Sequence, residues 1–425
     1  MAWGLRVSPG RGQSFFNLKQ IFTVRFPDTD PQRLAVKLSV KGERAVRKNH
    51  PWVFSDSIAR ISKEGSAGDL AIIFSRSKNA VMGVGLFDPH SPIRIKMLHW
   101  GSGAKINSAF FREKIRRAFG LRSGLLQTKT NSYRLLFGEN DGFPGLIADV
   151  YAHVLVLKLY SEIWLPYLGA ITQILTKTTA CTVAVLRLNR KLQQSQSLPV
   201  TEGQVIFGTL KNETVPFLEH GVHFLANVVK GHKTGYFLDH RSNRKKVAEF
   251  SKGKTVLDVF SYVGGFSVHA LVGGAKRATS IDVSAQALKM AKENAALNTH
   301  TGTHSTIAGN AFTEMEQLVS DRKTFDVVVI DPPAFAKRKK EMDNAAKKYA
   351  QLAQLGAKLT TTGGVLVLAS CSSRMPAAVF FDINTEALTK TGRKFKRVEA
   401  THHDVDHPVT FPEGAYLKCG YYRMG

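Results

Sequence analysis

Three cysteines among 425 residues, Cys181, Cys371 and Cys419, are too few and too far apart for a disulfide framework or paired zinc ligands. A reducing compartment, and hence a cytoplasmic location, suits them. No metal site is expected. No apolar run approaches the ~18 residues of a membrane-spanning helix. The clearest, Val365-Leu366-Val367-Leu368-Ala369, has the length of a buried strand, so no membrane partner is expected. Internal repeats and long low-complexity tracts are missing too, which excludes solenoids and arrays. Acid is scarce, with 33 Asp and Glu against 59 Lys and Arg and a net charge of +26. Such an excess suits a polyanion, because each neutralised phosphate releases condensed counterions. A merely solubilising surface would give the same sum.

What is present is an ordinary globular balance, 43% hydrophobic and 22% charged, in a chain long enough for two or three domains. Residues 1–34 form a basic arm with Arg6, Arg11, Lys19 and Arg25 ahead of the first acid, Asp28. A targeting peptide, a disordered arm and an upstream start all remain open for it. Residues 35–103 are β-rich, with short apolar stretches broken by turn residues and a Gly101-Ser102-Gly103 linker. Residues 104–215 read as a small α+β middle domain. Its helix is expected from Ala109 to about Gly120, and Cys181 is placed in one of its strands. From 216 to 425 strands and helices alternate, the pattern of an α/β parallel sheet covered on both faces. The final strand, near Ala415–Arg423, is expected to pair antiparallel at the sheet edge. The sequence leaves a homodimer open.

The first strand of this last region contains Val256-Leu257-Asp258-Val259-Phe260, and Ser261-Tyr262-Val263-Gly264-Gly265 leads directly into a helix. Ligands of doubly wound sheets bind outside the carboxyl ends of strands, where glycines let the backbone approach. The next strand ends in Asp282, whose carboxylate can accept both hydroxyls of a ribose. A dinucleotide would call for G-x-G-x-x-G to cradle its pyrophosphate. Here the loop opens on an acid and offers one Gly-Gly pair. That suits S-adenosylmethionine, which has no phosphate and carries a sulfonium and an ammonium group.

The fourth strand ends in Asp331-Pro332-Pro333-Ala334-Phe335. Two consecutive prolines fix φ and donate no N–H, so the loop is stiff enough to hold a carboxylate and carbonyls against a planar base. A rigid turn is the plain alternative. The fifth strand ends at Ser370, and Cys371 follows at the same rim. A thiolate there can add to carbon 6 of a pyrimidine and make carbon 5 electron-rich. An inert buried cysteine is the commoner fate of a lone thiol. Cys181 and Cys419 read as structural.

With those motifs in place, the chain from about Leu38 onward resembles the bacterial large-subunit ribosomal RNA 5-methylcytosine methyltransferases of the RlmI type. The resemblance rests on Lys41-Gly42-Glu43-Arg44 with His50-Pro51-Trp52-Val53-Phe54-Ser55, and on Ser132-Tyr133-Arg134-Leu135 with Gly138-Glu139-Asn140-Asp141-Gly142. It also rests on Gly231-His232-Lys233-Thr234-Gly235-Tyr236-Phe237-Leu238-Asp239 with Arg241, on Asp-Pro-Pro and Ser-Cys-Ser, and on His407-Pro408 with Pro412-Glu413-Gly414. It implies a PUA domain, a middle domain and a seven-stranded, Rossmann-like class I methyltransferase domain. It further implies that Cys371 is the nucleophile and that Asp331, Pro332, Pro333 and Phe335 hold the target base. Lys41, His50 and Trp52 are then expected at the RNA. Tyr236, Asp239, Arg241, Asp258, Phe260, Ser261, Gly264, Gly265, Asp282, Asn310 and Asp331 are expected around S-adenosylmethionine. His240 stands where the family usually has Gln, and Asn310 where an acid is common. A methyltransferase for another base atom or for protein, and a non-catalytic RNA-binding assembly factor, are the rival readings.

Overall fold

The computed structural model describes residues 22–24, 26, 30–195, 198–336 and 338–425. The first sheet holds β1 (Arg33–Leu38), β2 (Trp52–Phe54), β3 (Ile58–Ile61), β4 (Leu70–Phe74), β5 (Val81–Phe87) and β6 (Ile93–Trp100). Their order is β2-β6-β5-β4-β1-β3. In β1 the period of two is literal: Leu34, Val36 and Leu38 are buried while their neighbours are exposed.

The second sheet holds β7 (Ser132–Phe137), β8 (Leu146–Tyr151), β9 (Val154–Leu159), β10 (Val183–Leu188) and β11 (Gln204–Phe207), in the order β11-β10-β9-β8-β7. Helix Ser108–Leu126 packs on it and runs past Gly120, where the sequence suggested a stop. Burial of Arg122 and Leu125 carries the helix on, and tertiary packing overrides the weak glycine signal. Cys181 lies two residues before β10 rather than in a strand, and it is buried. The basic arm expected over 1–34 lies largely outside the described residues. Of its described part, Phe22 bridges to Phe207, and Thr23 N–H donates to the Ile206 carbonyl at 3.2 Å, on the free edge of β11.

A hairpin of β12 (Thr214–Glu219) and β13 (Val222–Asn227) follows, so the expected boundary at 215/216 falls inside a strand. The third sheet holds β14 (Thr255–Val259), β15 (Arg277–Asp282), β16 (Thr303–Ala308), β17 (Phe325–Ile330), β18 (Thr360–Ser370), β19 (Phe395–Thr401) and β20 (Lys418–Met424). Their order is β16-β15-β14-β17-β18-β20-β19, and β14 through β18 pair in parallel. This is the α/β class I methyltransferase arrangement. Helices cover both faces, so β17 and β18 are near-continuous runs of buried Val, Ile and Leu.

The final strand corrects one expectation. β20 pairs antiparallel, yet it is inserted between β18 and β19 instead of closing the edge. Its side chains say why: Tyr421, Tyr422 and Cys419 are fully buried, whereas Lys396, Arg397 and Glu399 of β19 suit an edge open to water. The order of winding reverses at β14, outward through β15 and β16 on one side and through β17 and β18 on the other. The carboxyl ends of β14, β15, β17 and β18 therefore meet at one rim, the place where such sheets bind ligands.

Candidate active site

At the carboxyl end of β14 the chain turns through left-handed backbone at Phe260 (φ 64°), Tyr262 (φ 49°) and Gly264 (φ 77°). Positive φ is costly for the two aromatic residues and marks a loop held by its surroundings. Ser261 N–H donates to the Ile281 carbonyl at 2.9 Å, and Tyr262 N–H to Asp282 Oδ2 at 2.8 Å. Ser284 N–H donates to Asp282 Oδ1 at 2.9 Å. Asp282 is thus locked by its own rim, and the remaining lone pair on each oxygen is open to a hydroxyl. A Cβ on Gly264 would sit 2.9 Å from Ala291 Cβ, and one on Gly265 would sit 2.9 Å from Tyr236 Oη and Arg244 Cδ. The glycine pair therefore serves close packing of the loop, first against helix Ala285–Ala296 and then against the segment bearing Tyr236.

Asp258 is buried and accepts from Ser267 N–H at 3.0 Å and Ser267 Oγ at 2.8 Å, both through Oδ2. Burial pushes its carboxyl up to about 7, against the pull of those two hydrogen bonds. Its Oδ1 is buried without a hydrogen-bond partner, as are Tyr236 Oη, Asp239 Oδ1 and Ser261 Oγ. Buried polar atoms are normally satisfied, so unpaired ones gathered near a strand end need a ligand to explain them. Two acceptors and two hydroxyls fit a donor that carries an ammonium, a carboxylate and ribose hydroxyls. Asn310, at the end of β16, caps helix Ala311–Ser320 through its Oδ1 (3.0 Å from Phe312 N) and keeps its amide N–H groups free of that bond.

Arg241 stands elsewhere. It is fully buried and donates to the Ser132 carbonyl at 3.0 Å and to Asp406 Oδ2 at 2.8 Å, tying the middle domain to the C-terminal segment. Asp404 at 3.5 Å holds the same guanidinium, while Arg241 Nε is buried without a hydrogen bond.

The Ser-Cys-Ser motif meets the Asp-Pro-Pro loop directly. Cys371 Sγ lies 3.9 Å from the Pro332 carbonyl oxygen, and Asp331 Oδ1 lies 3.4 Å from His240 Nε2. Phe335 packs edge-on to Tyr349 at 5.1 Å, and Tyr349 Oη is 2.9 Å from Ser370 Oγ, beside Cys371. Lys418 clamps the loop after β18: its Nζ donates to the carbonyls of Ser372 (2.5 Å), Met375 (2.6 Å) and Tyr416 (2.9 Å). Burial and the charge of Asp331 push the Cys371 thiol up to about 11, with Lys233 and Lys418 pulling weakly the other way.

Cys371 opens into a cleft of about 880 Å³ between the first sheet, the middle domain and the C-terminal segment. Trp52, Glu139, Tyr160, Phe411 and Tyr416 line it with Cys371. Trp52 Nε1 donates to Glu139 Oε1 at 2.9 Å, and its ring meets Phe411 at 5.2 Å. His50 braces the same corner, 5.8 Å from the Trp52 ring and 3.6 Å from Glu413. Lys41 is exposed on helix Val40–Arg47 and does not line this cleft. Tyr416, Lys418 and Phe411 escaped the sequence reading, because nothing local marks a residue whose partners lie tens of positions away.

Residues 133–419 match the family model of S-adenosylmethionine-dependent methyltransferases, and residues 36–100 that of PUA-like domains. The chain is 37% identical over 405 residues to the "Ribosomal RNA large subunit methyltransferase" of Deinococcus radiodurans, spanning 94% of this chain and 99% of that one. It is 34% identical over 382 residues to the "Ribosomal RNA large subunit methyltransferase I" of an Escherichia coli strain, spanning 88% and 96%. The fold is shared with "A putative sam-dependent methyltransferase from Streptococcus mutans" (TM-score 0.77, 19% identity, 92% and 99% covered). It is shared too with SMU.776, solved in complex with SAH (TM-score 0.76, 20% identity, 92% and 100% covered). With a PUA-like domain at its N-terminal side and these relatives along nearly its whole length, the chain belongs to the S-adenosylmethionine-dependent methyltransferase family, within the group of ribosomal RNA large subunit methyltransferases I.

Proposed function

We propose that this enzyme methylates carbon 5 of a cytosine in large-subunit ribosomal RNA, in the cytoplasm, with Cys371 as the nucleophile. The single observation that carries the reading is a thiol at the floor of a large interdomain cleft, 3.9 Å from the Asp-Pro-Pro loop. Asp258, Ser261, Tyr236 and Asp282 are the residues to hold S-adenosylmethionine, which supplies an electrophilic methyl group when bound. Trp52 and Tyr416 from the cleft, with the Asp-Pro-Pro loop beside Cys371, would grip a base taken out of its stack, since a stacked base keeps carbons 5 and 6 out of reach. Addition of the Cys371 sulfur to carbon 6 raises electron density at carbon 5, the atom that takes the methyl. Transfer of the carbon 5 proton to water or a neighbouring base then expels the sulfur as thiolate and restores the aromatic ring.

Large-subunit RNA from cells lacking the protein, incubated with enzyme and methyl donor, is expected to gain one 5-methylcytidine by nucleoside mass spectrometry. Cys371→Ala is expected to give none. Methylation at the wild-type rate by Cys371→Ala would sink the thiol mechanism.

A further inference from the structure

His240 stands between the methyl-donor side and the Asp-Pro-Pro loop, buried with its ring 5.5 Å from that of Phe266. Its Nδ1 is 3.0 Å from Asn243 Nδ2, and its Nε2 is 3.4 Å from Asp331 Oδ1. A neutral imidazole holds one proton, and its neighbours decide which nitrogen carries it.

Asn243 decides here. Its Oδ1 accepts from two hydroxyls, Thr401 Oγ1 at 2.6 Å and Tyr421 Oη at 2.9 Å. With the amide oxygen held on that side, the NH2 faces His240, and an NH2 can only donate. With that amide orientation, Nδ1 of His240 is the accepting nitrogen and the ring proton belongs on Nε2. That N–H is buried, has no aligned partner, and faces the Asp331 carboxylate at a distance slightly too long for a good hydrogen bond. Catalytic hydrogen bonds are often long before the site fills and tighten on loading.

We infer that His240 is a positioning residue whose Nε2–H engages Asp331 Oδ1 in the loaded enzyme and reserves Oδ2 for the exocyclic amino group of the target cytosine. Cytosine offers an N–H donor at position 4 and uracil a carbonyl acceptor, so a fixed carboxylate oxygen welcomes one and repels the other. A site built to pair with an N–H rejects an analogue that lacks it far more strongly than an apolar pocket could. The chain Thr401 and Tyr421 to Asn243 to His240 to Asp331 thereby links the far strands β19 and β20 to base choice. This inference rests on the cytosine reading above.

The test uses the full-length protein. Nitrogen-15 histidine spectra are expected to report the Nε2–H tautomer for His240, and an Nδ1–H tautomer would overturn the relay. In His240→Gln the amide N–H can still donate, and kcat on RNA is expected to stay within about threefold of wild type. In His240→Leu, loss of a hydrogen bond to a charged group is expected to lower kcat about 10- to 100-fold, with KM for S-adenosylmethionine unchanged. A leucine variant with full kcat, or a glutamine variant as slow as leucine, would overturn the assignment. The nucleoside made by the wild-type enzyme separates the two levels. A product other than 5-methylcytidine refutes the cytosine reading, while the tautomer and the Gln/Leu split still judge His240.

Discussion

Asp258 and Cys371 are two residues of the site whose protons the fold holds above their ordinary values. The Asp258 carboxyl, raised to about 7 chiefly by burial, keeps its proton below neutrality in the free protein. A bound ammonium favours the ionised form, so loading the donor should release a proton and bind more tightly as that proton is lost. Between pH 6 and 7 the affinity for S-adenosylmethionine is expected to rise about fivefold, following the ionised fraction. Calorimetry in buffers of different ionisation heat would see the proton leave, and Asp258→Asn should flatten the trend. Cys371 lies the other way. With its thiol raised to about 11, the resting enzyme holds little thiolate near neutrality. The initial methylation rate under saturating substrates is therefore expected to climb through pH 7–9, because each step in pH below the thiol's own value adds thiolate. A flat profile there would show that RNA binding itself deprotonates the sulfur.

The element that joins the domains is the Gly138–Asp141 turn with Gly142 behind it. Glu139 takes the Trp52 indole N–H, and Asn140 Oδ1 accepts from Thr410 N–H at 2.8 Å. Asp141 holds the buried Arg122 in a two-point pair at 2.9 and 2.6 Å. Removing Asp141 leaves a guanidinium buried and uncompensated. Asp141→Ala is therefore expected to cost about 3–5 kcal/mol in urea unfolding, well above an ordinary surface change. The sequence already showed this motif, along with the strand ends that carry Asp258, Asp282, Asp331 and Cys371, since period and turn chemistry are local signals. Insertion of β20 between β18 and β19, the Lys418 clamp and the buried place of Arg241 were not legible. Each depends on a pairing across more than forty residues, and no local pattern encodes such a pairing. Arg241 in particular looks like any polar neighbour of a site motif until Ser132 and Asp406 are seen around it.

The whole molecule is a basic body, net +26, with the Cys371 thiol recessed between domains. A second groove of about 740 Å³ shares Glu139, Asn140 and Phe411 with the Cys371 cleft and brings Lys114 and Arg117 to its wall. Burial lowers the Lys114 ammonium, a cost that an RNA phosphate would offset. Reversing both charges, Lys114→Glu with Arg117→Glu, is expected to weaken RNA binding and cut the slope of log affinity against log salt by about one to two. Binding of S-adenosylmethionine by that variant should be unchanged.

The most direct measurement offers the full-length enzyme, with its methyl donor, an RNA whose target cytidine carries fluorine at carbon 5. Fluorine cannot leave as a proton does, so the sulfur–carbon bond should persist through denaturation. One RNA–peptide cross-link is expected, mapped by mass spectrometry to Cys371. An enzyme that methylates ordinary RNA yet yields no such cross-link, or yields it at another residue, would contradict the Cys371 mechanism.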